Sequence, residues 1–157
     1  AIILRDKILM GHPNGNSWVK SYSIPKGHVD AGENIVDAAL RETAEEVGLI
    51  IKQNQITSGP YRYDYPKSKY CKKQLYFYIV EIHDLAEIGL KNEVINKNIF
   101  RPNKEGILEI DWAGFITFKE ARKRASNPMQ KLLDIVESIY TTSEKFELKN
   151  FTKFNVI

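Results

Sequence analysis

The sequence predicts a mixed α+β fold. Three observations lead to this prediction: short apolar segments near the N-terminus, an amphipathic helix pattern over residues 34–48, and a long alternating strand pattern over 72–82 followed by two more helix patterns. Strands, one helix, further strands and then helices form the order expected where helices pack on a sheet. The length of 157 residues favours a single domain over 1–157 with a sizeable core.

Composition and charge exclude several classes of protein. Hydrophobic residues make up 43%, an ordinary value for a globular domain, and no apolar run approaches the ~18–20 residues that span a bilayer, so we expect no membrane partner. The net charge of +3 permits an anionic ligand without requiring nucleic acid. One cysteine, Cys71, fits a reducing compartment, so we expect a cytoplasmic protein. The chain opens at Ala1 inside an apolar run, so we expect a few N-terminal residues to be missing.

The first part of the chain predicts strands that lead into a loop. Residues 1–4 and 7–10 are apolar on either side of an Arg5–Asp6 turn, which predicts two short strands. Residues 18–23 form another candidate strand, and 24–28 connect it to the helix.

A loop, a helix and a stop are predicted over residues 27–49. Asn34 is a good N-cap with Asp37 three residues on, and Gly48 supplies the left-handed residue that ends many helices. Four residues between these caps recur at helical spacing and form the predicted buried stripe: Val36, Leu40, Thr43 and Val47.

The remaining chain predicts strands and then helices. The strand patterns are, in order, 50–65 with a break at Gly59–Pro60, the strong alternating segment 72–82, and 107–112 after a loop-rich stretch over 84–106. Thr117 is a predicted cap for a helix over 118–125, and Pro128 opens a second amphipathic helix. The tail, 143–157, shows no pattern that assigns it to an element.

Acidic residues cluster on one side of the predicted helix 34–48. Glu42 and Glu46 are one turn apart and Glu45 is three residues from Glu42, so all three project away from the apolar stripe. Like charges at this spacing cost roughly 0.2–0.5 kcal/mol per pair, and Arg41 can reach Glu45. Such hard oxygen donors suit Mg²⁺ or Mn²⁺. Taken alone, the three glutamates fit a solvated acidic face equally well.

The full spacing of this stretch is more specific than its acids. The pattern G-x5-E-x7-R-E-U-x-E-E-x-G-U, in which U is bulky and apolar, is matched by Gly27, Glu33, Arg41, Glu42, Glu45, Glu46, Gly48 and Leu49. This pattern resembles the Nudix box, and Thr43 departs from it at the first apolar position. The resemblance covers 23 of the 157 residues. It implies a Nudix-type α/β/α sandwich with a mixed β-sheet, in which the box forms a loop, a helix and a loop.

The resemblance also implies roles for the box residues. It assigns metal binding to Glu42, Glu45 and Glu46, and an auxiliary metal-binding role to Glu33. Arg41 matches the residue that orients a glutamate through a salt bridge. Gly27 and Gly48 match backbone positions that let the loops turn. The metal it implies is Mg²⁺ or Mn²⁺.

The general base is left open by the resemblance. Some Nudix enzymes use a box glutamate, which here indicates Glu45, and others use an acid on a later loop. Glu105 and Glu109 are the candidates for that second case, and ordinary exposed acids are an equally good interpretation of both.

Residues outside the box concern the substrate. The segment 23–33 resembles the P-K-G-H-V-(D/E)-x-G-E lead of asymmetrical diadenosine tetraphosphate hydrolases, in which Lys26 and His28 could contact phosphate oxygens. Lysines at the start of the long strand could neutralise a polyphosphate: Lys67, Lys69, Lys72 and Lys73. Aromatic rings could stack on adenine, with Tyr76 and Phe77 as first candidates beside Tyr78, Tyr61, Tyr63 and Tyr65. Solvated loops and core packing are the alternatives.

The resulting functional hypothesis is a Mg²⁺-dependent hydrolase of a small-molecule nucleotide or dinucleoside polyphosphate. Diadenosine tetraphosphate, cleaved to ATP and AMP, is the expected substrate. The enzyme alternatives are a nucleoside triphosphate pyrophosphatase, a diphosphoinositol polyphosphate hydrolase and an RNA 5′-pyrophosphohydrolase, the last being the one case with a nucleic-acid partner. A nucleotide-sensing module that does not cut is the non-catalytic alternative, and the intact glutamates favour an enzyme over it.

Overall fold

A computed structural model describes residues 1–65 and 73–154, with side chains described for 1–65 and 73–142. The strands are β1 (Ile2–Leu4), β2 (Lys7–Pro13), β3 (Ser58–Asp64), β4 (Gln74–Ile82) and β5 (Ile110–Thr117). The helices are α1 (Ile35–Val47), α2 (Phe118–Arg124) and α3 (Asn127–Phe154). Short 3₁₀ turns occupy Gln53–Gln55, Leu85–Ile88 and Lys97–Ile99.

The described strands form one mixed sheet in the order β3-β4-β1-β2-β5. β1 runs parallel to β4 and antiparallel to β2, and β2 and β5 are antiparallel, as are β3 and β4. The predicted α+β class and mixed sheet are confirmed.

Helices cover both faces of this sheet. Along β2, Ile8 and Met10 join a core with Leu132 of α3, whereas Leu9 joins a second core with Val47 of α1. Successive strand residues point to opposite faces, so one strand contributes to both cores. The result is an α/β/α sandwich with α1 on one face and α2 and α3 on the other. None of the described helices is long and apolar enough to cross a membrane.

The predicted ends of α1 are confirmed. The Asn34 side chain accepts the Asp37 N–H at 2.9 Å, and its own amide donates to the Asp37 carboxylate at 2.7 Å. Gly48 ends the helix with φ of 71°, and its N–H donates to the Ala44 carbonyl at 3.1 Å. A Cβ on Gly48 would lie 2.1 Å from the Ile99 carbonyl oxygen, so both its dihedral angle and its packing require glycine.

The buried stripe of α1 is narrower than predicted. Val47 is fully buried, but Val36, Leu40 and Thr43 are half-buried. Leu40 and Thr43 line a cavity beside the helix, so this part of the stripe borders open space rather than closed core.

Four segments differ from their prediction. The pattern over 50–65 forms a strand only over Ser58–Asp64, which runs through Gly59–Pro60 with a shift in register. Residues 18–23 form no strand: they contribute two isolated bridges, Ser23 to Gly11 and Tyr22 to Ala125. The last strand begins later than predicted, because a turn closed by the Asn103 N–H on the Ile107 carbonyl precedes it. The backbone of α3 continues as helix to 154, through most of the tail that had no predicted structure.

Candidate active site

Arg41 is the centre of the ion network on α1. Its guanidinium grips Glu33 with two bonds, Nε to Oε1 at 2.8 Å and Nη2 to Oε2 at 2.9 Å. Nη1 donates to Glu42 and to Glu45, each at 3.0 Å. Nη2 also donates to the His28 carbonyl at 2.9 Å, which ties the lead-in loop to the helix. The predicted Arg41–Glu45 contact is confirmed, but the two-bonded partner is Glu33.

This network determines the charge of Glu33. The Arg41 hydrogen bond, aided by the Asp30 N–H, lowers the pKa of the Glu33 carboxyl to about 2, and Glu33 in turn raises the pKa of Arg41. Both Glu33 oxygens are engaged in these contacts. Glu33, predicted as an auxiliary metal ligand, is therefore placed as the anchor of the arginine.

Glu46 lies in a different environment at the other end of the helix. Burial raises the pKa of the Glu46 carboxyl to about 7, and the neighbouring Glu42 and Glu109 carboxylates add to this effect. The Lys26 N–H opposes it by donating to Glu46 Oε2 at 3.0 Å. Glu46 is thus the box acid whose charge changes near neutral pH.

Gly27 allows the lead-in loop to lie against Glu42. A Cβ on Gly27 would sit 1.9 Å from the Glu42 carboxyl carbon, far inside van der Waals contact. A side chain here would displace the carboxylate, so the close approach explains a glycine at this position of the box.

The later loop brings Glu109, rather than Glu105, to the box. Glu109 acts electrostatically on Glu46, and its backbone carbonyl accepts the Asn14 N–H at 2.9 Å. Glu105 lies in an exposed turn, where its N–H is bonded to the Asn103 side chain. Glu105 is exposed there, and its role as the general base stays a prediction.

The box carboxylates have oxygens available for a metal ion. Glu42, Glu45 and Glu46 each use one oxygen in the contacts above, which leaves a second oxygen on each. Within the described residues, no three acidic, histidine or cysteine side chains converge as a ready-made metal cage. Mg²⁺ is commonly bound by one or two carboxylates together with waters and substrate phosphates. The donor set therefore fits Mg²⁺ or Mn²⁺ in a site that water and phosphate complete.

A cavity of about 200 Å³ adjoins Glu42. The lead-in loop, α1 and β4 line it, and the members that matter here are Lys26, His28, Thr43, Tyr76 and Tyr78. Tyr76 is 42% exposed, and burial raises the pKa of the Tyr78 hydroxyl. The cavity places aromatic rings and a lysine beside a box carboxylate.

Other predicted substrate residues are placed differently. The Phe77 ring is buried, 5.2 Å from the Tyr61 ring, in the core beneath α3, so its position favours packing rather than stacking on a base. Tyr63 is also in that core, and its hydroxyl donates to the Pro128 carbonyl. Lys73 is exposed at the start of β4. Lys67, Lys69, Cys71 and Lys72 lie outside the described residues.

Comparison with known sequences gives a family and relatives. The model of the NUDIX domain family matches residues 1–134. The mouse protein named asymmetrical bis(5′-nucleosyl)-tetraphosphatase is 37% identical over 76 residues, which are 48% of this chain and 52% of the mouse protein. The rat protein of the same name is 36% identical over the same shares. The chain thus spans about half the length of the curated relatives it matches.

Solved structures show the same fold. A bifunctional NMN adenylyltransferase/ADP ribose pyrophosphatase from Francisella tularensis, complexed with AMP and a Mn ion, matches with a TM-score of 0.64 at 18% identity, over 87% of this chain and 39% of that one. A C. elegans Ap4A hydrolase matches with a TM-score of 0.55 at 20% identity, over 87% and 88%. Because the family model extends over most of the chain, this chain belongs to the NUDIX domain family.

Proposed function

We propose that this chain is a divalent-metal-dependent pyrophosphohydrolase that cleaves diadenosine tetraphosphate with water to give ATP and AMP. The observation that carries the proposal is the set of Glu42, Glu45 and Glu46 on one side of α1, oriented by Arg41 and by the Lys26 N–H, with Glu42 lining a cavity that also contains aromatic rings. The names of the mouse and rat relatives support the substrate. The proposed compartment is the cytoplasm, supported by the lone cysteine.

The box residues have separate parts in this proposal. Glu42 and Glu46, with Glu45, would hold Mg²⁺, which when bound neutralises phosphate charge and makes water more acidic. Arg41 holds Glu42 and Glu45 in place, and Glu33 holds Arg41. The side chains therefore present fixed oxygens to a reaction whose main need is positioning and charge stabilisation.

The proposed proton acceptor is Glu45. Its side chain is 53% exposed, so water can reach it, and its contact with Arg41 fixes its direction. Glu109 is the second candidate, because its carboxylate acts electrostatically on Glu46. Glu109→Gln at saturating substrate separates them: a fall in kcat of about 10²–10⁴-fold would make Glu109 the proton acceptor, and an unchanged kcat would leave Glu45.

The cavity provides the proposed contacts to one half of the substrate. Lys26 and His28 are exposed beside it and could contact phosphate oxygens, while Tyr76 offers a partly exposed ring to an adenine. Stacking of a base on an aromatic ring contributes about 1–3 kcal/mol. Lys73 lies at the start of the same strand and could extend the cationic edge.

Product chromatography tests the proposal. The protein is incubated with Mg²⁺ and diadenosine tetraphosphate, and ATP with AMP in equal amounts is the expected result. Two ADP molecules would contradict the asymmetric cut. Turnover confined to a nucleoside triphosphate, a diphosphoinositol polyphosphate or 5′-triphosphorylated RNA would transfer the assignment to that substrate. Binding without any turnover would support the sensing module. Glu46→Gln is the control for contaminating hydrolases.

A further inference from the structure

A buried histidine, His12, lies near the end of β2. His12 is 1% exposed, and its Nδ1 lies 2.5 Å from Asp111 Oδ1 while its Nε2 lies 3.2 Å from the Ser17 carbonyl oxygen. Both ends of the ring are thus bonded, one to β5 and one to the loop that follows β2. The Tyr22 ring packs edge-on against it, with centroids 5.3 Å apart. The imidazole is therefore held in one plane.

Trp18 lies flat on this imidazole. The ring centroids are 3.6 Å apart and the planes differ by 4°, yet Trp18 is 56% exposed. A stacked neighbour on one face with this much exposure leaves the indole open toward solvent. A rigid, exposed aromatic ring loses little conformational freedom when a ligand stacks on it.

The segment that carries Trp18 is fastened next to the candidate active site at both ends. At its start, Asn14 donates from its backbone to the Glu109 carbonyl and from its side chain to the Leu108 carbonyl, each at 2.9 Å. At its end, the Lys26 N–H donates to Glu46. The Glu109 carboxylate acts electrostatically on Glu46, so each end of the segment is bonded to a residue of the acidic cluster.

Trp18 and Tyr76 lie over different strands of the sheet. Tyr76 is on β4, beside the cavity, whereas Trp18 stacks over the ends of β2 and β5. In the sheet, β1 lies between β4 and β2. Lys20 is exposed two residues from Trp18, and Lys26, which also lines the cavity, is exposed at the end of the same segment. An aromatic ring with cations beside it is suited to a base that carries phosphate.

We propose that Trp18 is the stacking plate for the second nucleobase of a dinucleoside polyphosphate. This inference rests on the proposed function, because it needs a substrate with a base at each end of a phosphate chain. With one base at the cavity and the other on Trp18, the phosphates pass the box carboxylates. A mononucleotide would leave Trp18 without a ligand.

Affinity for two ligands tests the proposal. Diadenosine tetraphosphate and adenosine 5′-tetraphosphate share one adenosine and four phosphates, and only the first has a second base. We expect the wild type to bind the dinucleotide more tightly, and Trp18→Leu to weaken dinucleotide binding about tenfold more than tetraphosphate binding. Trp18→Phe, which keeps a ring, should recover most of the difference. Val19→Ala is the matched control, because Val19 is 67% exposed on the same loop.

Three results would overturn the stacking role. These are equal affinities of the wild type for both ligands, equal weakening of both by Trp18→Leu, and the same loss in Trp18→Phe. Should Trp18→Leu fail to fold, fluorescence replaces it: Trp112→Phe leaves Trp18 as the single tryptophan, whose emission the dinucleotide should quench more than the tetraphosphate does. Equal quenching would also overturn the role.

The same measurements keep this inference separate from the proposed function. Calorimetry in EDTA gives the affinities without turnover, and product analysis in Mg²⁺ gives the activity. A preference for the dinucleotide that depends on Trp18, without hydrolysis, refutes the activity and supports the stacking plate. Asymmetric hydrolysis without such a preference supports the activity and refutes the stacking plate.

Discussion

The two ends of the ion network on α1 contain the same kind of side chain in opposite states. At one end, Arg41 grips Glu33 with two bonds and lowers the pKa of its carboxyl to about 2. At the other end, burial raises the pKa of Glu46 to about 7. Glu33 thus keeps its negative charge and anchors the arginine, whereas Glu46 is negatively charged at a cost that a bound cation would relieve.

Within the box, this difference distinguishes the residues that hold other side chains in place from the residues that can bind a cation. At the clamp end, which consists of Glu33 and Arg41, the opposite charges of the two side chains neutralise each other, so no ion from solution is needed. The acid end gathers Glu42, Glu46 and Glu109 with the Lys26 backbone N–H as the main relief for Glu46, so it attracts cations. A divalent ion should therefore act at the acid end, and changes at the clamp end should act through Arg41.

Removal of divalent ions should have the largest effect. We expect EDTA to abolish hydrolysis of diadenosine tetraphosphate, because a divalent ion would neutralise the phosphates and make the attacking water more acidic. Added Mg²⁺ should restore the rate in full, as followed by product chromatography. Unchanged activity in excess chelator would show that the acid end works without metal.

Arg41→Lys should have the next largest effect. Lysine keeps the charge but cannot form the two-bonded grip on Glu33 while also bonding Glu42 and Glu45. We expect kcat to fall about 10–100-fold, in the range reported for groups that orient metal ligands, with a melting temperature within a few degrees of the wild type. Arg62→Lys is the matched control, because Arg62 makes an exposed two-bonded pair with Asp64 far along the chain from the box. Equal losses in both variants would refute the orienting role.

The two ends should also contribute opposite pH dependences to stability. Because the pKa of Glu46 rises from 4.5 to about 7 on folding, the folded state binds its proton more tightly between these values. The free energy of unfolding should therefore fall as pH rises through this window, by about 3 kcal/mol in total. The pKa of Glu33 is lowered to about 2, so its contribution is present above 4.5 and is lost as pH falls through the window to about 2.

Urea unfolding in EDTA between pH 3 and pH 8 measures both contributions. Glu46→Gln should be more stable than the wild type at pH 8 and similar to it at pH 4. Glu33→Gln should be less stable than the wild type at pH 8, and its stability should approach that of the wild type towards pH 3. Parallel curves for the two variants would remove the distinction between the two ends.

The sequence predicts those features of the site that depend on short-range geometry. The caps of α1 need an N-cap side chain, which Asn34 provides, and a residue with positive φ, which Gly48 provides. The Arg41–Glu45 contact follows from helical spacing. These features lie within one or two turns, so local rules suffice for them.

Features set by distant contacts were missed. Glu33 becomes the main partner of Arg41 because the lead-in loop folds back onto the helix, and helical spacing cannot show this. The alternation along β4 indicates two faces, but not that the exposed Tyr76 lies beside a cavity while the Phe77 side chain joins the core beneath α3. Residues 18–23 have strand propensity, yet the stack of Trp18 on His12 belongs to a loop.

The smallest expected effect compares the two box glycines. Gly27→Ala would place a Cβ against the Glu42 carboxylate, which is the end of a flexible side chain, so the carboxylate should move and the fold should tolerate the change. Gly48→Ala meets the backbone oxygen of Ile99 at a φ of 71°, where neither group can yield. We expect Gly48→Ala to lower the free energy of unfolding by about 1–3 kcal/mol and Gly27→Ala by less, with Gly27→Ala losing more activity than its stability explains. Urea unfolding and kcat, measured on the same preparations, decide between them. A Gly27→Ala variant with full activity would show that Glu42 need not stay in its position at the acid end.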